Sequence, residues 1–156
     1  MTPLEPSILI RVATIDDVEI LADYNCRLAH ETEDRQLDRT TVLSGVKRGL
    51  NVGDEVQYYV AESGGNVIGQ LMLTREWSDW RDGWIVWLQS VYVAAEFRGQ
   101  GVFRRLLQYV RQQLHDQPDV LGLRLYVEEE NSAAITTYNR LGFQHPGYRV
   151  MELPLP

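Results

Sequence analysis

A chain of 156 residues with 44% apolar and 24% charged residues suits one folded domain around one core. A net charge of −7 speaks against a nucleic-acid partner, which asks for a basic field. No apolar run is long enough to span a bilayer, so no membrane partner is expected. The opening stretch MTPLEPSILI has neither the basic start nor the apolar run of a signal peptide, and a cytoplasmic location is the expectation. Cys26 is the single cysteine, cannot form an intrachain disulfide, and reads as a small core residue.

Residues 8–12 (ILIRV) predict a short strand. Thr14 and Asp17 have the spacing of a capping box, and Ile20, Leu21, Tyr24 and Leu28 follow at helical spacing. A second helix is predicted over 41–50, with Leu43, Val46 and Leu50 on one face and Asn51, Gly53 and Asp54 ending it. Val56, Tyr58 and Val60 alternate as a strand, Gly64-Gly65 turns the chain, and 67–76 returns as a second strand. A polar, aromatic connection over 77–83 leads into 84–93 (WIVWLQSVYV), a strand apolar enough to be covered on both faces. An amphipathic helix over about 101–115 buries Phe103, Leu106, Leu107, Val110 and Leu114 and wets Arg104, Arg105, Gln108, Arg111 and Gln112. Leu121, Leu123, Leu125 and Val127 alternate as a further strand, a helix runs from Asn131-Ser132 to a stop at Gly142, and 143–153 reads as a closing strand pair turning at Pro146-Gly147. The order β-α-α-β-β-β-α-β-α-β-β predicts a mixed α/β (α+β) domain with helices on the faces of its sheet.

The chemistry concentrates where strand 84–93 meets the next helix. Between them lies Arg98-Gly-Gln-Gly101. The first N–H groups of a helix have no partner within it and attract anions, and glycine lets a phosphate approach the backbone. Arg98, Arg104 and Arg105 add positive charge in an otherwise acidic chain. The segment therefore reads as a pyrophosphate site, beside the plainer possibility of a tight turn that needs glycine. It is not G-x-G-x-x-G, and no Lys-Ser/Thr follows Gly101, so dinucleotide-fold and P-loop readings do not apply.

Four stretches, RVATIDDVEIL, VIGQLML, VYVAAEFRGQGVFRRLL and LYVEEENSAAITTYNRLGF, resemble the GNAT superfamily of acyl-CoA N-acyltransferases across nearly the whole chain. The resemblance implies a single N-acetyltransferase domain over 1–156, with a mostly antiparallel central sheet flanked by helices, working as a monomer or homodimer. In the family's pattern Gln/Arg-x-x-Gly-x-Gly/Ala, Arg98 and Gly101 match the first and fourth positions, and Phe103 stands where the small sixth residue belongs. Acetyl-CoA is the implied donor, with no metal. Its pyrophosphate would lie on Arg98, Gly99, Gln100, Gly101, Val102, Phe103 and Arg104. A bulge in strand 84–93 would splay it from strand 121–127, with the pantetheine arm along Val91, Tyr92 and Val93, which also suit plain core.

The resemblance further implies that Asn131 contacts the cofactor and that Tyr138, seven residues on, lies near the thioester sulfur as a general acid. Asn131 is equally a helix N-cap, and Tyr138 equally a core residue with a satisfied hydroxyl. Transfer to an amine also needs a base, because an ammonium has no lone pair. Many family members place a glutamate in the strand before the turn, but 84–93 holds no carboxylate; Trp87, Gln89 and Ser90 stand there. Glu76 is the candidate base, beside the alternative of a solvated hairpin charge. Glu31, Trp87 and Gln89 are candidate substrate-binding residues, and Glu31 with Glu33 equally suits an exposed helix end. Trp77, Trp80, Trp84 and Trp87 suit an aromatic wall for a cation, core, or a dimer contact. The expected activity is acetyl transfer from acetyl-CoA to a primary amine, and the alternative is a CoA-binding module without turnover.

Overall fold

The computed structural model describes residues 7–156; the opening residues through Pro6, part of the stretch read above for a leader, lie outside it. Described residues through Leu125 form one compact unit and Tyr126–Pro156 a second. In the first, β1 (Ile8–Val12) leads into α1 (Val18–Glu33) and α2 (Arg39–Leu50). Then come β2 (Val56–Ser63), β3 (Asn66–Ser78), β4 (Gly83–Val93), α3 (Val102–His115) and β5 (Val120–Arg124). The strands lie side by side in sequence order. The first three pairings are antiparallel and β4 with β5 is parallel. A parallel pair needs a crossover, and α3 supplies it. The fold is the mixed α/β, mostly antiparallel sheet flanked by helices that the sequence predicts.

Local chemistry sets the ends of the elements. Asp17 accepts the Thr14 N–H at 2.7 Å, the acidic half of the expected capping box, and Asp38 caps α2 through the Thr41 N–H at 3.1 Å. The two-residue loop Gly64-Gly65 closes the β2–β3 hairpin, with Ser63 opposite Asn66.

The two faces of the sheet are covered by different helices. A Cβ on Gly69 would meet Val102 Cγ1 at 3.0 Å, and Tyr59 packs edge-on against Tyr109 at 5.8 Å. From Gly69 on, odd-numbered residues of β3 therefore take the side of α3, whose Val102, Leu106, Leu107, Val110 and Leu114 are buried, while Val67, before the β2–β3 register shift, packs on the α1 side. Burial of such side chains contributes about 2 kcal/mol each. The even-numbered face lies under the α1–α2 pair, where Leu21, Ala22, Val46, Tyr58 and Val60 form a core cluster joined by Met72. Tyr24, Tyr92 and Ala94 form a second cluster, which docks α1 on the end of β4.

The second unit holds α4 (Ser132–Arg140). Asn131 caps it by accepting the Ala134 N–H at 3.2 Å. The chain turns out at Gly142, where the Phe143 N–H returns to the Tyr138 carbonyl at 3.0 Å.

Two expected strand regions are corrected. The strand predicted over 121–127 is β5, and it stops at Arg124 because its ladder on β4 ends at Trp87. The strand pair predicted over 143–153 does not form: no residue there is in a strand, and Tyr148, Val150 and Met151 are exposed. Alternating apolar residues favour a strand only when a partner supplies the ladder, and a lone hairpin is marginal in water. Pro146 also removes one donor.

Candidate active site

The end of β4 departs from regular strand geometry. Gln70 pairs with Tyr92 and Met72 with Gln89, so Ser90 and Val91 together oppose the single residue Leu71. This bulge puts Ser90 at φ +52°, left-handed backbone that serine rarely adopts. The parallel ladder with β5 stops at Trp87 opposite Arg124. Beyond that point Leu88–Val93 has no ladder bond to β5, which is the opening that a bulged strand produces.

The chain then passes through a 3-10 turn, Ala95–Phe97, and the Arg98–Gly101 turn into α3. Gly99 and Gly101 both have φ +77°, and a Cβ on either would meet nothing within 4 Å. Backbone conformation therefore requires these glycines, and the space over them is open. The first-turn N–H groups of α3, on Val102, Phe103 and Arg104, carry the positive end of the helix dipole. Val102 is buried, Phe103 half-buried, and Gln100 and Arg104 exposed. The Gln100 side chain donates to the Glu96 carbonyl at 3.2 Å.

Arg98 does not reach forward over the turn. Its Nε donates to the Val93 carbonyl at 2.9 Å, and Nη2 donates to both Glu31 carboxylate oxygens at 3.1 and 3.2 Å. Its guanidinium also lies 5.3 Å from the Tyr92 ring centroid. Burial, and secondarily the Glu31 carboxylate beside it, push the Tyr92 hydroxyl above its ordinary value. Glu31, expected on the substrate side, thus stands at the Arg98–Gly101 turn.

A second polar group occupies the α1–α2 face of β3, β4 and β5. Glu76 Oε1 accepts from the Trp87 indole N–H at 2.9 Å, and Oε2 accepts from Arg124 at 3.1 Å. Beside them Gln89 donates to the Thr74 hydroxyl at 3.1 Å. The structure so brings together Glu76, Trp87 and Gln89. It adds Thr74 and Arg124, which sequence reasoning passed over; the signal for Arg124 was a single charge inside the apolar alternation 121–127.

The four tryptophans do not form one wall. Trp77 and Trp84 meet edge-to-face at 5.0 Å, Trp80 is 86% exposed on the β3–β4 connection, and Trp87 belongs to the Glu76 group. Trp84 and Trp87 are three residues apart on one strand and so point to opposite faces. Cys26 is half-buried on α1.

In the second unit Tyr138 is half-buried and its ring packs edge-on against Phe143 at 5.8 Å. Burial raises its phenol above the ordinary value of 10.0. Among the described residues no group of three or more His, Cys, Asp or Glu side chains is placed to hold a metal ion. No helix of the described residues is long and apolar enough to cross a membrane.

The family model for the acetyltransferase (GNAT) family matches residues 18–143. No curated protein matches the sequence. A possible acetyltransferase from Clostridium difficile 630 superposes with a TM-score of 0.88 at 39% identity, covering 96% of this chain and 98% of its own. A predicted acetyltransferase from Clostridium acetobutylicum, solved with acetyl-CoA, gives a TM-score of 0.77 at 15% identity over 95% and 96%. An aminoglycoside N-acetyltransferase in complex with CoA gives 0.79 at 17% identity over 99% of each chain. The last two are similar in fold alone. With the family match spanning most of the sequence and 39% identity over nearly all of it, this chain belongs to the GNAT acetyltransferase family.

Proposed function

We propose that this protein is an N-acetyltransferase that moves an acetyl group from acetyl-CoA to a primary amine by direct attack in a ternary complex. The observation that carries the proposal is the run of bulge, open glycine turn and helix N-terminus at the end of β4. It offers strand backbone that no β5 ladder covers for an extended pantetheine arm, and helix-start N–H groups for a pyrophosphate. The acetyl-CoA and CoA held by two proteins of the same fold support that donor. The family match crosses both compact units, which supports one transferase domain over the chain.

Each residue then has a role. Backbone groups of Val91, Tyr92 and Val93 hold the pantetheine arm. Gly99, Gln100, Gly101, Val102, Phe103 and Arg104 present N–H groups to the pyrophosphate. Arg98 adds charge at the turn, and Asn131 contacts the donor while capping α4. The amine nitrogen attacks the thioester carbonyl carbon, and the Val91 N–H stabilises the oxyanion. The carbon–sulfur bond breaks as Tyr138, protonated at neutral pH, gives its proton to the thiolate. Glu76 takes the proton that the amine loses. Trp87 and Gln89 line the acceptor side, and Glu31 stands at its border with the phosphate turn.

The test is thiol release from acetyl-CoA against a panel of small amines, polyamines, amino acids and peptide N-termini. Turnover on at least one is expected. Tyr138→Phe should lower kcat about 100-fold and leave CoA affinity near wild type; an unchanged rate removes Tyr138 as the acid. A second reading, a CoA-binding module without turnover, draws on one observation: both Glu76 oxygens already accept hydrogen bonds, and 84–93 holds no other carboxylate. CoA binding with no release on any amine would establish it.

A further inference from the structure

We propose that Gln70 is a positioning residue that aims the Val91 N–H by holding the bulge of β4 from behind; the inference rests on the acetyl-transfer reading above. Gln70 lies on β3 and is fully buried, at 0% exposure. Its Nε2 donates twice, to the Ser90 carbonyl at 3.0 Å and to Asn25 Oδ1 of α1 at 2.9 Å. The Ser90 carbonyl can only accept, so it fixes the amide with its nitrogen toward the bulge.

Ser90 is the residue at φ +52°. The 90–91 peptide is trans, so the Ser90 carbonyl and the Val91 N–H point in opposite directions. A carbonyl captured by Gln70 therefore turns the Val91 N–H away from Gln70. The Asn25 end of the clamp is itself fixed, because neighbouring Tyr24 donates its hydroxyl to the Val67 carbonyl at 2.6 Å. Helix α1, strand β3 and the bulge are thus tied through one amide.

The same amide carries a cost that points to its use. Gln70 Oε1 is buried with no hydrogen-bond partner. A buried acceptor left unpaired destabilises a fold, and an apolar side chain of similar volume would remove that penalty. Leucine or methionine would remove it but leave the Ser90 carbonyl and Asn25 Oδ1 without this donor. Orientation of the bulge accounts for the amide.

The variants are Gln70→Leu and Gln70→Met, two apolar side chains of similar volume, so that one misfolding variant leaves the other to decide. Each is measured for thermal midpoint, for kcat and KM with acetyl-CoA, and for the backbone amide resonance of Val91. The expected result is a midpoint lowered by a few degrees as the Ser90 carbonyl and Asn25 Oδ1 lose this donor, a KM for acetyl-CoA within about twofold, and a kcat lowered about 10- to 100-fold, because a misaimed donor acts on the transition state more than on binding. The Val91 resonance should shift in both. Val91 resonances that overlay the wild type, or a loss of rate that comes entirely through acetyl-CoA binding, would overturn the proposal. Wild-type protein that releases no thiol with any amine would sink the acetyl-transfer reading instead, while the Val91 resonance still reports on the clamp.

Discussion

At the residue scale, Glu76 is the side chain whose neighbours most refine its role. Its carboxylate is held by Arg124 and by the Trp87 indole, and it remains 41% exposed. Oε1 accepts from Trp87 and, at 3.5 Å, from Arg124, so Oε2 is the oxygen to take an amine proton. Glu76→Gln keeps size and an acceptor for Trp87 but removes the charge. We expect kcat for thiol release to fall about 100-fold if Glu76 takes the proton. Stability should change by less than about 1 kcal/mol, because the Arg124 pair is partly exposed and screened. A rate within about twofold of wild type would assign Glu76 to holding Arg124 instead. Glu76, Trp87 and Gln89 were legible as residue types near a strand end. Their meeting with Thr74 and Arg124 was not, because those contacts cross strands far apart in sequence. Gln70 carried a signal that sequence reasoning passed over: a lone amide inside the apolar run VIGQLML.

At the element scale, the turn between β4 and α3 was legible because glycine and helix-start chemistry are local. Both glycines sit in left-handed backbone, as a cradle for an anion requires. Gly101→Ala should cost about 1 kcal/mol through that backbone conformation, not through a clash, since the space above is open. A turn that instead relaxes in the free alanine variant would meet the same strain on binding, as an acetyl-CoA affinity about fivefold weaker by calorimetric titration. A variant with neither a stability loss nor a weaker affinity would mean that the turn does not need its left-handed glycine. The closing strands predicted over 143–153 do not form, for the opposite reason. A helix satisfies its own backbone, and its period is enough to predict it. A strand needs a partner, and alternation says nothing about whether one is present. The same rule ends β5 at Arg124, where β4 swings into its bulge.

At the scale of the whole molecule, one ion-pair group ties the start of the chain to the sheet. Arg11 of β1 holds Asp17 through two parallel bonds at 2.8 and 2.9 Å and donates a third to Glu62 of β2 at 2.8 Å. Arg11 keeps the Asp17 carboxyl below its ordinary value of 3.8, so the ionised form favours the fold. That contribution is full at pH values above the ordinary carboxylate range and is lost as pH falls through the lowered folded-state value. Arg11→Met should therefore lose about 2 kcal/mol at pH 7, where it leaves a buried carboxylate short of donors. The gap from wild type should narrow at pH 3; urea unfolding at the two pH values measures it, and a gap independent of pH would assign Arg11 a packing role. By itself the sequence determined the element order through α4, the apolar faces, the glycine turn and the caps, because each follows from interactions a few residues long. Only the tertiary structure decided that Arg98 turns back to Glu31, that Glu76 meets Arg124, and that Gln70 holds the Ser90 carbonyl. Those contacts join residues between 20 and 67 positions apart. Strand register and helix docking set such meetings, and no local pattern encodes them.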